Sequence, residues 1–251
     1  NFTNISFLGF NVNNIHTALA EYLKTVEEKL AKKYGGEKGD PAEAGKALGL
    51  KQNIRGGRKL SKTASLSMHL FGLAIDINFD TAPFISQDAS REKQNDIFGR
   101  AGLLVNGETT EFRKGMSYDE LQALNETIKT YFSYIDNREL LEAQLRKANG
   151  FWVDKSTDKA HKQVQKDFQE LAKRWDRDKK KYKLNIKEGG FLGVQKDFVE
   201  EIGLDWGGSY GDMMHFDMRN LGIGKAIEDA RRRFLKEKIK DSEQEYNEEH
   251  D

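Results

Sequence analysis

Residues Ser67–Phe79 read Ser-Met-His-Leu-Phe-Gly-Leu-Ala-Ile-Asp-Ile-Asn-Phe. Leu73, Ile75, Ile77 and Phe79 alternate with Ala74, Asp76 and Asn78, the period-two pattern of a half-buried strand. Asp76 therefore projects from the face opposite the isoleucines. Gly72 lets the chain turn closely before that strand, and His69 sits in the connection leading into it. A neutral imidazole and a carboxylate in such a place suit Zn²⁺, with bonds of about 2.0–2.2 Å. For this segment alone the blander reading is the commoner one: a surface histidine, and a strand aspartate bonded to a loop.

A second stretch, Trp206–Asp217, reads Trp-Gly-Gly-Ser-Tyr-Gly-Asp-Met-Met-His-Phe-Asp. Asp212 stands three residues before His215. In a turn or at the entry to a short strand both can face one point, one binding a metal while the other activates its water. A polar loop after a glycine-rich turn is again the blander alternative for this stretch by itself. Taken together, the two stretches supply three metal-compatible ligands and a spare carboxylate. That is the inventory of a catalytic zinc site with an open fourth position. There is no His-Glu-x-x-His helix, so a thermolysin-type site is excluded.

The combined pattern is Ser67-x-His69-x-x-Gly72-x-Ala74-x-Asp76, followed by Asp212-x-x-His215-Phe216. It resembles the zinc D-alanyl-D-alanine carboxypeptidase and L-alanyl-D-glutamate endopeptidase family, which includes VanY-type enzymes and phage endolysins. Trp206-Gly207-Gly208 is similar to the approach to the second motif in the endolysin-like branch. The likeness spans about Lys51 to Phe79 and Phe191 to Arg219, well under half the chain. It implies zinc held by His69, Asp76 and His215, with Asp212 as general base. It also implies an arginine upstream of the first motif that stabilises substrate and oxyanion; of the two candidates Arg55 is slightly favoured, and Arg58 fits a Gly-x-Arg reading. Ser67 is expected to orient the loop or a ligand, and Trp206 to line the cleft or pack in the core. The activity implied is a hydrolase of peptidoglycan stem peptides at the bacterial cell wall or periplasm. Endopeptidase action is favoured over carboxypeptidase action. A catalytically silent wall-binding module, or a toxin or particle component on the same fold, is the alternative.

The rest of the chain bounds these expectations. Lys plus Arg and Asp plus Glu both number 41 in 251 residues, so the basic footprint of a nucleic-acid binder is missing. There is no cysteine, which excludes disulfides, thiolate zinc sites and cysteine nucleophiles. No apolar run approaches the roughly 20 residues of a membrane span. The start, Asn-Phe-Thr-Asn-Ile-Ser-Phe-Leu-Gly-Phe, has no basic region ahead of a long apolar one and does not read as a signal peptide.

Helical periodicity predicts a helix from Asn14 to Tyr34, capped by Asn13 or Asn14, and a loop or weak helix over 36–49. Ser117-Tyr118-Asp119-Glu120 matches a capping box, with a further helix over Arg138–Lys147. A charged helix follows over Ser156 to about Tyr182, with Trp152 and Trp175 as core residues. Phe191–Ile202 reads as a helix, Met213–Met218 as a short strand and Gly224–Lys240 as a last helix. The fold expected is α+β: a small antiparallel sheet with flanking helices. The zinc peptidase core would comprise residues 1–79 and 188–240. A mainly helical insertion at 80–187 is a possible docking surface for a partner, and an acidic tail covers 241–251.

Overall fold

Where periodicity predicts a helix start, the chain instead finishes a hairpin. Strand β1 (Phe2–Phe7) pairs antiparallel with β2 (Phe10–His16), from Phe2↔His16 to Phe7↔Phe10, with a shift of register between Thr3 and Ile5. The two residues between them, Leu8 and Gly9, both have positive φ, 51° and 81°. That is the backbone hand which matches strand twist across a two-residue connection. Helix α1 (Thr17–Tyr34) therefore begins later than Asn14. His16, not Asn13 or Asn14, caps it: the His16 Nδ1 accepts from the Ala18 N–H at 3.1 Å. Leu19, Leu23, Val26 and Leu30 form its buried stripe. Residues 41–47 form α2 (Pro41–Ala47), with Asp40 as cap and Pro41 in the first turn, where its missing N–H costs nothing.

This computed structural model describes residues 1–58, 67–85, 89–148, 156–175, 186 and 189–250. Trp152, and the charged run beyond Trp175, lie outside them. Among the described residues no helix is long and apolar enough to cross a membrane.

The second sheet is small and has the order β3-β5-β4. Strand β3 (Ala74–Asp76) runs antiparallel to β5 (His215–Asp217), with pairs Ala74↔Asp217, Ile75↔Phe216 and Asp76↔His215. Strand β4 is Asp205–Trp206. β3 is shorter than its alternating pattern predicts, and both of its faces are buried. Asn78 has φ of 50°, outside the extended region, so the strand cannot continue through it. Small antiparallel sheets and a majority of helix make this an α+β fold.

The chain divides into two compact units: Asn1–Ile77 with Asp197–Asp205 and His215–Asp251, and Asn78–Lys196 with Trp206–Met214. In the first unit the segment 54–58 lies between hairpin and sheet. Ile54 bridges Val12, and Arg55 bridges Asp76. Gly56 and Gly57 permit this approach, since an added Cβ would lie 2.0 Å from Asn13 O and 2.1 Å from Asn14 O respectively. Helix α7 (Lys196–Glu201) is shorter than expected. Its Phe198 packs edge-on against Phe216, ring centres 5.4 Å apart. The last helix, α8 (Gly222–His250), extends through residues 241–250 of the acidic tail. No glycine or proline interrupts residues 225–250, and Glu, Gln and Lys are good helix formers.

The second unit is built on α3 (Ala89–Val105), α4 (Tyr118–Ser133), α5 (Arg138–Lys147) and α6 (Thr157–Trp175). The capping box at Ser117 and Glu120 is formed in full. Phe98, Phe132, Leu141, Val164, Phe168 and Trp175 belong to one buried cluster. Inside it the Asp167 carboxylate accepts from Arg100 Nε at 3.1 Å and Nη2 at 2.9 Å, and from Tyr131 Oη at 2.7 Å.

Candidate metal centre

Three short pieces of the first unit aim their side chains at one point. The first is the 3₁₀ turn Met68–Phe71, whose cap Ser67 accepts from the His69 N–H at 3.3 Å. Gly72 ends that turn with φ of 66°. Its carbonyl accepts from His16 N at 2.8 Å, tying the turn to the end of β2. The other two pieces are β3 and β5. Asp76 closes β3 and His215 opens β5, directly opposite each other. Cross-strand partners share a face, so their side chains meet. His69, Asp76 and His215 are 2%, 1% and 6% exposed.

The reactive atoms form a tight triangle. His69 Nε2 lies 2.8 Å from Asp76 Oδ1 and 3.1 Å from His215 Nδ1. His215 Nδ1 lies 3.4 Å from the same Asp76 oxygen. The outer ring nitrogens fix the tautomers, as a hydrogen-bond network does when hydrogens are assigned from partners. His69 Nδ1 is 2.8 Å from the Gly56 carbonyl, which only accepts, so Nδ1 carries the hydrogen. His215 Nε2 is 3.0 Å from Asp217 Oδ2, so Nε2 carries the hydrogen there. In neutral rings both inward nitrogens then present lone pairs to a carboxylate oxygen. Three lone pairs face one another, with no donor between them. One added proton can bridge two of the three, whereas a cation is met by all three. This buried group could hold a metal ion.

Burial opposes ionisation of Asp76, but when a proton bridges the group the hydrogen bonds and positive charge of His215 and His69 outweigh it and hold the carboxyl far below the usual range. Asp217 is also lowered: burial raises it, and the bonds from His215 and from the Arg219 N–H more than offset this.

Of the two arginines upstream of the first motif, Arg58 touches the ligand set. Its Nη2 donates to Asp76 Oδ2 at 2.9 Å, and its backbone N–H donates to His69 O at 3.0 Å. Its side chain is half exposed. Arg55 is an exposed residue whose backbone exchanges two bonds with Asp76.

The structure thus gathers His69, Asp76, His215 and Arg58, with Ser67 capping the turn that carries His69. Asp212 and Trp206 belong to the second unit. There the Asp212 N–H donates to Gly207 O at 2.9 Å. The Trp206 indole donates to Met213 O at 3.0 Å, and its ring lies 5.5 Å from that of Tyr118. His16 caps α1, and His161 Nε2 sits 2.6 Å from Ile135 O. Asp217 is the residue that sequence reasoning passed over. Its signal was the His-x-Asp spacing, since residues two apart on a strand share a face.

Gly56 offers a test of how finely the centre is held. Gly56→Ala would push a Cβ to 2.0 Å from Asn13 O and displace the carbonyl that holds His69. The expected result is a stability loss of about 1–3 kcal/mol by denaturant unfolding. Metal affinity should weaken by about tenfold or more in a chelator competition.

Comparison with family models, with curated proteins and with solved structures finds no match for this chain.

Proposed function

We propose that this chain is a zinc-dependent peptidase that cuts the stem peptides of bacterial peptidoglycan, acting at the cell wall or periplasm. The observation that carries the reading is the convergence of His69 Nε2, Asp76 Oδ1 and His215 Nδ1 with their lone pairs inward. Tetrahedral bonds of about 2.0–2.1 Å place ligand atoms roughly 3.3 Å apart, close to the separations here. Two nitrogens and one oxygen are a ligand set zinc accepts, and three protein ligands leave one position for catalysis. The spacing of both motifs, and their resemblance to the zinc carboxypeptidase and endopeptidase family, supply the substrate class.

Bound zinc would contribute Lewis acidity and lower the pKa of a water ligand towards about 7. His69, Asp76 and His215 would hold the ion. Asp212, three residues ahead of His215 in sequence, would take a proton on its carboxylate from the attacking water and pass it to the departing amine nitrogen. Arg58 is preferred to Arg55 for the developing oxyanion, because its guanidinium is already anchored on Asp76 and half exposed. Endopeptidase cleavage, of the L-alanyl-D-glutamate type, is the favoured reaction.

Digesting purified peptidoglycan with the zinc-loaded chain, with and without chelator, tests this reading. Mass spectrometry should find stem-peptide fragments with a new amino terminus, and only when zinc is present. Intact peptidoglycan after prolonged digestion contradicts it. Release of a terminal D-alanine alone would make the enzyme a carboxypeptidase.

A further inference from the structure

The geometry points to Asp217 as the positioning residue that presents Nδ1 of His215 to the metal. The inference rests on the reading of the centre as a metal site and is independent of any substrate. Asp217 is itself fully buried, and its Oδ2 lies 3.0 Å from His215 Nε2. It is held in turn: Oδ1 accepts from the Arg219 N–H at 2.8 Å, and Arg219 Nη2 stands 3.4 Å from Oδ2.

Two consequences follow from this chain of contacts. A carboxylate on Nε2 selects the tautomer with its hydrogen there, which leaves the Nδ1 lone pair free to bind. It also resists rotation of the ring about Cβ–Cγ, which would turn a C–H toward the centre in place of Nδ1. A negative charge on the far nitrogen raises the basicity of the near one, as outer carboxylates do for histidine ligands elsewhere. On the opposite side of the triangle the Gly56 carbonyl fixes His69 in the complementary way. One imidazole is thus set by a backbone oxygen and the other by a charged side chain, so at His215 the positioning group can be removed without altering the backbone.

The full chain, as wild type, Asp217→Ala and Asp217→Asn, provides the test. Two readouts are needed: zinc affinity by competition with a chromophoric chelator, and the His215 tautomer in the metal-free protein by long-range ¹H–¹⁵N NMR. Wild type should bind one zinc and show hydrogen on Nε2. Asp217→Ala should bind zinc about 10–100-fold more weakly and show mixed tautomers. Asp217→Asn keeps an oxygen acceptor and should recover most of the affinity. A folded Asp217→Ala with wild-type zinc affinity overturns the inference. So does a wild-type His215 with its hydrogen on Nδ1, whatever the variants do. A wild-type chain that binds no zinc removes the metal reading itself, and this inference with it.

Discussion

His215→Ala is expected to leave the purified protein without stoichiometric metal after dialysis. Two donors, His69 Nε2 and Asp76 Oδ1, would remain, and Arg58 already occupies the second oxygen of Asp76. The loss of affinity should exceed the roughly 10–100-fold cost of removing a partner outside the ligand set. Elemental analysis gives the first reading. Thermal unfolding gives the second, because a ligand bound only by the folded state stabilises it by about 2.7 kcal/mol at a hundredfold excess over Kd. Zinc should therefore raise the Tm of the wild type and leave that of His215→Ala unmoved. Equal zinc content in both proteins would show that the ligand set is wrongly drawn.

Asp212→Ala should separate chemistry from metal binding. The variant is expected to keep its zinc and to lose about 10²–10⁴-fold in turnover on peptidoglycan, the usual contribution of a positioned general base. No zinc ligand is altered, so metal content should match the wild type. Asp212→Asn is expected to behave in the same way, since an amide does not accept the proton. Wild-type turnover in either variant would move the base to another residue while leaving the metal centre intact.

The readable parts of this molecule are those where local chemistry agrees with the final packing. The apolar stripe of α1 and the capping box at Ser117 depend on residues three and four apart, and each formed as its pattern implied. The hairpin was not legible. Its turn uses Leu8 at positive φ, a conformation that nothing in a leucine announces, and Asn13 and Asn14 inside β2 read equally well as helix caps. The early end of β3 has a similar origin, since Asn78 leaves the extended region where the alternation of side chains continues.

The same contrast holds at the site. His69, Asp76 and His215 stood out because metal-compatible residues lay at fixed spacing around Gly72 and ahead of Phe216. What fixes their ring nitrogens was hidden. The Gly56 carbonyl is a backbone atom, brought close by a glycine that tolerates Asn13 against it. Asp217 was visible in the sequence, but its role depends on a strand that is only three residues long. The choice between Arg58 and Arg55 likewise needed the path of segment 54–58, which gives Arg58 the carboxylate and Arg55 the backbone of the same residue.

The central claim is that two imidazole nitrogens and one carboxylate oxygen share a single ion. X-ray absorption spectroscopy at the zinc edge of the stoichiometrically loaded full chain tests it most directly. The account predicts a nitrogen and oxygen shell at about 2.0–2.1 Å together with the outer scattering of two imidazole rings. A shell of oxygens without imidazole scattering, or a chain that retains no zinc, would contradict it.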